Sequence, residues 1–151
     1  MYINITKLIN KVINMFALTT KTRYGLSALL EMARHYGNGL IQVKDIAARH
    51  SISPQYLEQL LNRLIHAGFV RAVRGKNGGY ALLNPPDKTT LLDLLEALEG
   101  PLEFSQSHPT DDAVKDIYRQ AEDLIRKVLD VPLSEILKQQ EAFDRHLVFH
   151  I

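Results

Sequence analysis

Six residues that can make hydrogen bonds fall within nine positions: Ser51, Ser53, Gln55, Tyr56, Glu58 and Gln59. Short polar side chains on the first turns of a helix are what base edges in the DNA major groove accept. Gln pairs with adenine, Glu accepts from cytosine and Ser serves either. A capped, solvated helix start has the same composition, so these residues alone leave both readings open. A second set favours the first. The run Arg74-Gly-Lys-Asn-Gly-Gly places Arg74, Lys76 and Asn77 among three glycines. An arginine on a narrow tip can enter the minor groove, where A·T tracts concentrate negative potential. Lys76 and Asn77 can then hold phosphates beside it. A glycine-rich loop could instead cradle a nucleotide, but no Lys-Ser/Thr pair and no following helix accompany this one. Lys21, Arg23, Lys44 and Arg49 have the character of sequence-blind phosphate contacts, or of plain solubilising charges.

Other chemistry finds little support. The 151 residues contain no cysteine, which removes disulfides, a thiol nucleophile, thiolate-held iron–sulfur clusters and thiolate zinc sites. No Gly-x-Ser-x-Gly elbow occurs, and the histidines lack evident Ser or carboxylate partners, so an enzyme is not expected. Glu103, His108 and Asp111 could in principle hold a hard metal, but a lone loop histidine is usually solvated. His146 and His150 have a helical spacing that can bind metal, yet they lie at a chain end that frays. Neither is assigned as a site, and no cofactor is expected.

The elements that must position these groups follow from periodicity and punctuation. Leu18 to His35 carries apolar residues at helical spacing, with Thr19 or Thr20 as cap, and stops at Gly37-Asn38-Gly39. A short helix runs through Val43, Ile46 and Ala47, and Ser51-Ile52-Ser53 interrupts it. Ser53 caps a third helix, with Pro54 in its first turn and Leu57, Leu60, Leu61 and Leu64 on its inner face. Phe69 to Val73 and Tyr80 to Leu83 read as strands around the basic tip. Helix, turn, helix and hairpin is the winged-helix order, a stronger signal than its parts.

Beyond the hairpin, Thr89-Thr90 caps a helix through Leu91, Leu94, Leu95 and Leu98 to Gly100-Pro101. A polar loop from Glu103 to Pro109 follows. From Asp111 a longer helix places Val114, Ile117, Ala121, Leu124, Ile125 and Val128 on one stripe near the 3.5 repeat of paired helices. A second copy of the chain is the expected partner of that stripe. A last short helix spans Ser134 to Phe143, ahead of an apolar tail.

The net charge of +1 conceals a division. Residues 1–88 hold 12 Lys/Arg against 4 Asp/Glu, and residues 89–151 hold 6 against 13, giving +8 and −7. A basic half suits a polyanion and an acidic half is kept off it. No stretch approaches the roughly 20 apolar residues of a membrane span, and Lys7 and Lys11 divide the apolar part of the N-terminal leader. A cytoplasmic protein is expected.

The order of Leu18-Thr-Thr-Lys-Thr-Arg-Tyr-Gly-Leu, Asp45-Ile-Ala, Ile52-Ser, Tyr56-Leu-Glu-Gln-Leu, Gly68-Phe-Val, Val73-Arg-Gly-Lys-Asn-Gly-Gly-Tyr, Pro85-Pro and Leu98-Glu-Gly-Pro-Leu closely resembles the IscR/NsrR/CymR family of bacterial regulators. The resemblance runs from about Met15 into the last helix. It implies a homodimer with paired long helices, a recognition helix starting at Ser53 and a minor-groove arginine at Arg74. Members that sense iron–sulfur status or nitric oxide hold a cluster with three cysteines in the loop after the Glu-Gly-Pro-Leu motif. The loop here has none, so a cluster-free member is expected.

The expected architecture is therefore mainly α with a small β-hairpin wing: a winged helix-turn-helix joined to a long dimerisation helix. Residues 1–14 form a leader without assigned role, 15–88 the DNA-binding domain and 89–151 a dimerisation and sensing region. The expected function is a homodimeric repressor on a pseudo-palindromic double-stranded operator. A winged helix used for protein contacts, or a regulator answering to a partner enzyme or small metabolite, are the alternatives.

Overall fold

The structure is a computed structural model that describes residues 19–103, 105–107 and 111–148. Leu18, His108 and His150, and the leader at 1–14, lie outside the described residues. Helix α1 spans Thr20–Arg34, and the Thr19 side chain accepts the Thr22 N–H at its start. Helices α2 (Val43–His50) and α3 (Pro54–His66) follow. Between them Ser51 takes a left-handed conformation, φ 52°, and turns the chain sharply. The buried Ile52 then anchors the turn, its N–H donating to the Ala47 carbonyl at 2.9 Å. Ser53 caps α3 by accepting the Tyr56 N–H, with Pro54 at the first helical position as expected.

Strands β1 (Val70–Val73) and β2 (Gly79–Leu82) pair antiparallel, with Val70 opposite Leu82 and Val73 opposite Gly79. Ile41 adds an isolated bridge on the other edge of β2 that the sequence did not reveal. Its N–H and C=O exchange 2.9 Å bonds with Tyr80, so the segment leading into α2 is tied to the wing. Helix α4 (Leu91–Glu99) opens with a capping box in which Thr90 and Asp93 satisfy one another's backbone N–H groups. Helix α5 spans Ala113–Leu129, capped by Asp112. Helix α6 runs Leu133–Val148, longer than the expected Ser134–Phe143, because no Gly or Pro interrupts the chain after Pro132.

The core is one cluster. Leu29, Met32, Ile46, Leu57, Leu61 and Leu64 meet Leu94, Leu98 and Leu133, so α4 and α6 complete the hydrophobic interior of the first three helices. Each fully buried leucine contributes roughly 1.5–3 kcal/mol. Gly25 in mid-α1 allows this closure, since a Cβ there would sit 2.7 Å from Leu98 Cδ1. Backbone bonds from Leu91 to Val131 and from Leu133 to Thr89, both 2.9 Å, bring the start of α6 back beside the start of α4.

Candidate nucleic-acid interface

The outer face of α3 is made by what its inner face buries. With Leu57, Leu60, Leu61 and Leu64 turned inward, Gln55, Glu58 and Gln59 are left exposed together with Ser51 and Ser53 before them. Asn62 is exposed on the same face, seven residues on from Gln55 and three from Gln59. It belongs with the candidate base-contacting residues although sequence reasoning missed it; its helical spacing was the available signal. Tyr56 stands apart from these. It is half-buried against the core and meets Tyr24 edge to face, ring centroids 6.1 Å apart. That contact braces the first turn of α3 on α1, where Arg23 in turn lies 5.4 Å from the Tyr24 ring.

The wing carries the second group. Arg74, Lys76 and Asn77 are all exposed at a tip bounded by Val73 and Gly79. Gly78 is indispensable to its shape, for a Cβ at that position would lie 2.2 Å from the Val73 carbonyl oxygen. Lys44 is exposed in the first turn of α2. Lys21 has a different environment. Its ammonium donates to the Leu98 carbonyl at 2.7 Å and pairs with Glu99 at 3.1 Å. Thr19 and Thr22 hydroxyls donate to the same carboxylate. Lys21 thus ties the start of α1 to the end of α4, so a phosphate contact there would have to compete with Glu99. Burial alone would raise the Glu99 pKa; the threonine bonds and Lys21 more than offset it and hold the carboxyl below its ordinary range.

A buried carboxylate holds the first two helices together. Glu31 is 6% exposed in α1, and its oxygens accept from Arg34 at 3.0 Å and from Arg49 at 2.7 Å, with His50 Nε2 at 3.3 Å. Arg34 also donates to Gln140 of α6 at 2.9 Å. Burial raises the Glu31 carboxyl, but the bonds and charges of Arg49 and Arg34 and the His50 contact prevail, leaving it below the usual value. The sequence reads Arg49 as a phosphate contact or a solubilising charge; in the fold its side chain stays half-exposed while its guanidinium binds Glu31.

Helix α5 divides its faces by chemistry. Its polar side is bound to its own protomer: Glu122 accepts from the Ser105 N–H and hydroxyl at 2.6 and 2.9 Å, and Arg126 pairs with Glu96 at 2.9 Å and donates to the Leu102 carbonyl. The apolar stripe faces away. Val114, Ile117, Leu124 and Val128 are exposed, the last by 72%, while Ala121 and Ile125 are half-buried. No residue of α5 is buried within the single chain.

Comparison with known proteins converges on one group. The profile of the Rrf2 family, described as an iron-dependent transcriptional regulator, matches residues 18–139. The chain is 36% identical over 132 residues to the HTH-type transcriptional regulator CymR of Bacillus subtilis, covering 83% of this chain and 96% of that protein. It is 38% identical over 91 residues to the HTH-type transcriptional regulator IscR of Aliivibrio salmonicida, covering 60% of this chain and 54% of that one. The solved structure of CymR, the global cysteine regulator of B. subtilis, matches with a TM-score of 0.75 at 34% identity, covering 82% of this chain and 98% of that one. The IscR of T. potens matches with a TM-score of 0.70 at 36% identity, over 83% and 88% of the two chains. The winged-helix architecture is thereby established. The donor set does not fit a thiolate-held iron cluster: the sequence offers no cysteine, and around the loop after α4 Ser105 and Glu122 bind one another. Among the described residues no group of three His, Asp or Glu side chains could hold a metal ion.

Proposed function

The chain belongs to the Rrf2 family of DNA-binding transcription regulators, and on that footing we propose that it is a homodimeric repressor that occupies a pseudo-palindromic operator without an iron–sulfur cluster. The observation that carries the dimer is the apolar stripe of α5, exposed at Val114, Ile117, Leu124 and Val128 while the opposite side is tied to its own protomer. These positions follow the 3.5 spacing of a helix that pairs with its like. A second copy supplies the same stripe and a two-fold axis, and two recognition helices about that axis read an inverted repeat.

In each protomer Ser51, Ser53, Gln55, Glu58, Gln59 and Asn62 face the major groove, with Tyr56 supporting them. Arg74 enters the minor groove, and Lys76, Asn77 and Lys44 hold phosphates. Lys21 joins them only when it leaves Glu99. A dimer seated across a promoter excludes polymerase, which makes repression the expected effect. Without thiolates the signal comes from a small metabolite or a partner protein, and the regulator works in the cytoplasm beside the chromosome. Among the described residues no helix is long and apolar enough to cross a membrane.

The test is selection of fragmented genomic DNA by the purified, metal-free protein. An enriched inverted repeat, its half-sites separated by whole helical turns, is the expected result. Absence of enrichment, in a protein shown to be folded and dimeric, would refute cluster-independent operator binding.

A further inference from the structure

The wing is a short two-stranded ribbon, and a ribbon of that size holds no fixed direction by itself. Something must aim Arg74. The residue placed to do so is Gln42, which precedes α2 and breaks a local rule there. Position 42 is the N-cap of α2, where Ser, Thr, Asp or Asn would satisfy a free helix N–H. The Gln42 side chain makes no such bond to α2. Its amide instead crosses to the wing and donates to the Gly78 carbonyl at 2.8 Å.

The recipient is the hinge point of the tip. Gly78 is buried, and its own N–H donates to the Gly75 carbonyl at 3.0 Å, closing the turn that carries Lys76 and Asn77. Gly78 also packs against the Val73 carbonyl too closely for any side chain. Its C=O is thus the tip's available acceptor towards the helices, and Gln42 takes it. One residue back, Ile41 exchanges both backbone bonds with Tyr80. Another close approach occurs beside it, where a Cβ on Gly79 would meet the Ile41 oxygen at 2.7 Å. Ile41 holds β2 by its backbone at Tyr80, one residue inside the tip, and Gln42 adds a side-chain bond to the tip itself at Gly78.

We propose that Gln42 is a positioning residue for minor-groove readout: its bond to Gly78 sets the direction of the wing relative to α2 and α3, and so the place where Arg74 meets DNA. The inference rests on the reading of Arg74 as a minor-groove contact. It separates two kinds of sequence information, for the half-site core is read by α3 and the flanks by the wing.

The experiment is in-vitro selection of binding sites, with affinities, for the full-length dimer and for Gln42→Met, Gln42→Glu, Arg74→Ala and the double variant Gln42→Met/Arg74→Ala. Met keeps the length and flexibility of Gln without a donor; Glu keeps its shape but presents an acceptor to the Gly78 carbonyl. Both single Gln42 variants should lose flanking A·T preference, retain the core of the half-site, and bind on the order of fivefold more weakly, the factor one ordinary hydrogen bond represents. The double variant should bind no more weakly than Arg74→Ala, because the two act as one unit. Thermal melting of each variant guards against general loss of fold; a loss in Met but not Glu would mark packing, and would overturn the proposal. If Arg74→Ala loses flank preference while both Gln42 variants keep it, the positioning role is wrong and the wing reading stands. If Arg74→Ala changes nothing, the wing reading itself fails and takes this inference with it.

Discussion

Replacing Glu31 by Gln removes a charge but scarcely any volume, and the consequences can be worked from its three partners. The carboxylate accepts from Arg49 at 2.7 Å and Arg34 at 3.0 Å, and faces His50 at 3.3 Å. A hydrogen bond to a charged group contributes about 1.5–3 kcal/mol when well shielded. The Arg34 and Arg49 side chains are 37% and 55% exposed, so water competes for both and each contribution must be discounted towards the surface value. Glutamine can still accept one of these bonds. The expected loss for Glu31→Gln is therefore about 2 kcal/mol at neutral pH. Urea unfolding at a single fixed protein concentration measures it, since dimer stability depends on concentration.

The pH dependence follows from the direction of the shift. The folded-state pKa of Glu31 lies below its unfolded value, so the stabilisation is whole above the ordinary carboxyl range and disappears as pH falls through the lowered folded value. The gap between wild type and Glu31→Gln should be open at neutral pH and close progressively below about pH 4.5. A gap under about 0.5 kcal/mol, or one that stays open at acid pH, would refute the assignment of Glu31 as the charged tie between α1 and α2.

Three further outcomes are expected. Leu124→Asp or Ile117→Asp should give monomers in sedimentation equilibrium and abolish tight operator binding; a persisting dimer would move the interface off α5. Lys76→Ala should weaken binding evenly across sequences and reduce the slope of log affinity against log salt by about one unit, while an unchanged slope would take Lys76 away from the phosphates. Gln55→Ala and Glu58→Ala should each cost about 1–3 kcal/mol on the selected site and relax the preference at one base pair; an unaltered preference would remove that side chain from the reading face.

The elements were readable where a residue acts on its immediate neighbours. Ser53-Pro54 announced α3, Thr90 announced α4, and the glycines of the tip announced the hairpin, because caps and turns are decided within a few residues. The stripe of α5 was equally plain, since an amphipathic period needs no knowledge of its partner. What stayed hidden was pairing across distance. Nothing near Lys21 in the chain points to Glu99, 78 residues on, and nothing near Arg49 points to Glu31. The bridge at Ile41 escaped for a related reason: a single bridged residue has no period to detect. Asn62 was missed by attention to the first turns of α3 alone, though its place on the face was computable from the helix repeat.

The return of α6 to the interior has a bearing on how a signal could travel. Leu94 and Leu98 lie before α5 and Leu133 after it, all in the one core with α1 to α3. Helix α5 is therefore a handle fixed to the body just beyond its C-terminal end, where backbone ties between Leu91 and Val131 and between Thr89 and Leu133 close the joint. A push on such a handle acts directly at that joint, and tilting it strains the floor on which the recognition helix rests. The same arrangement forbids amputation. A chain cut after residue 88 would lose these three leucines from the shared core and should fail to fold as an isolated DNA-binding module, a result circular dichroism would show at once.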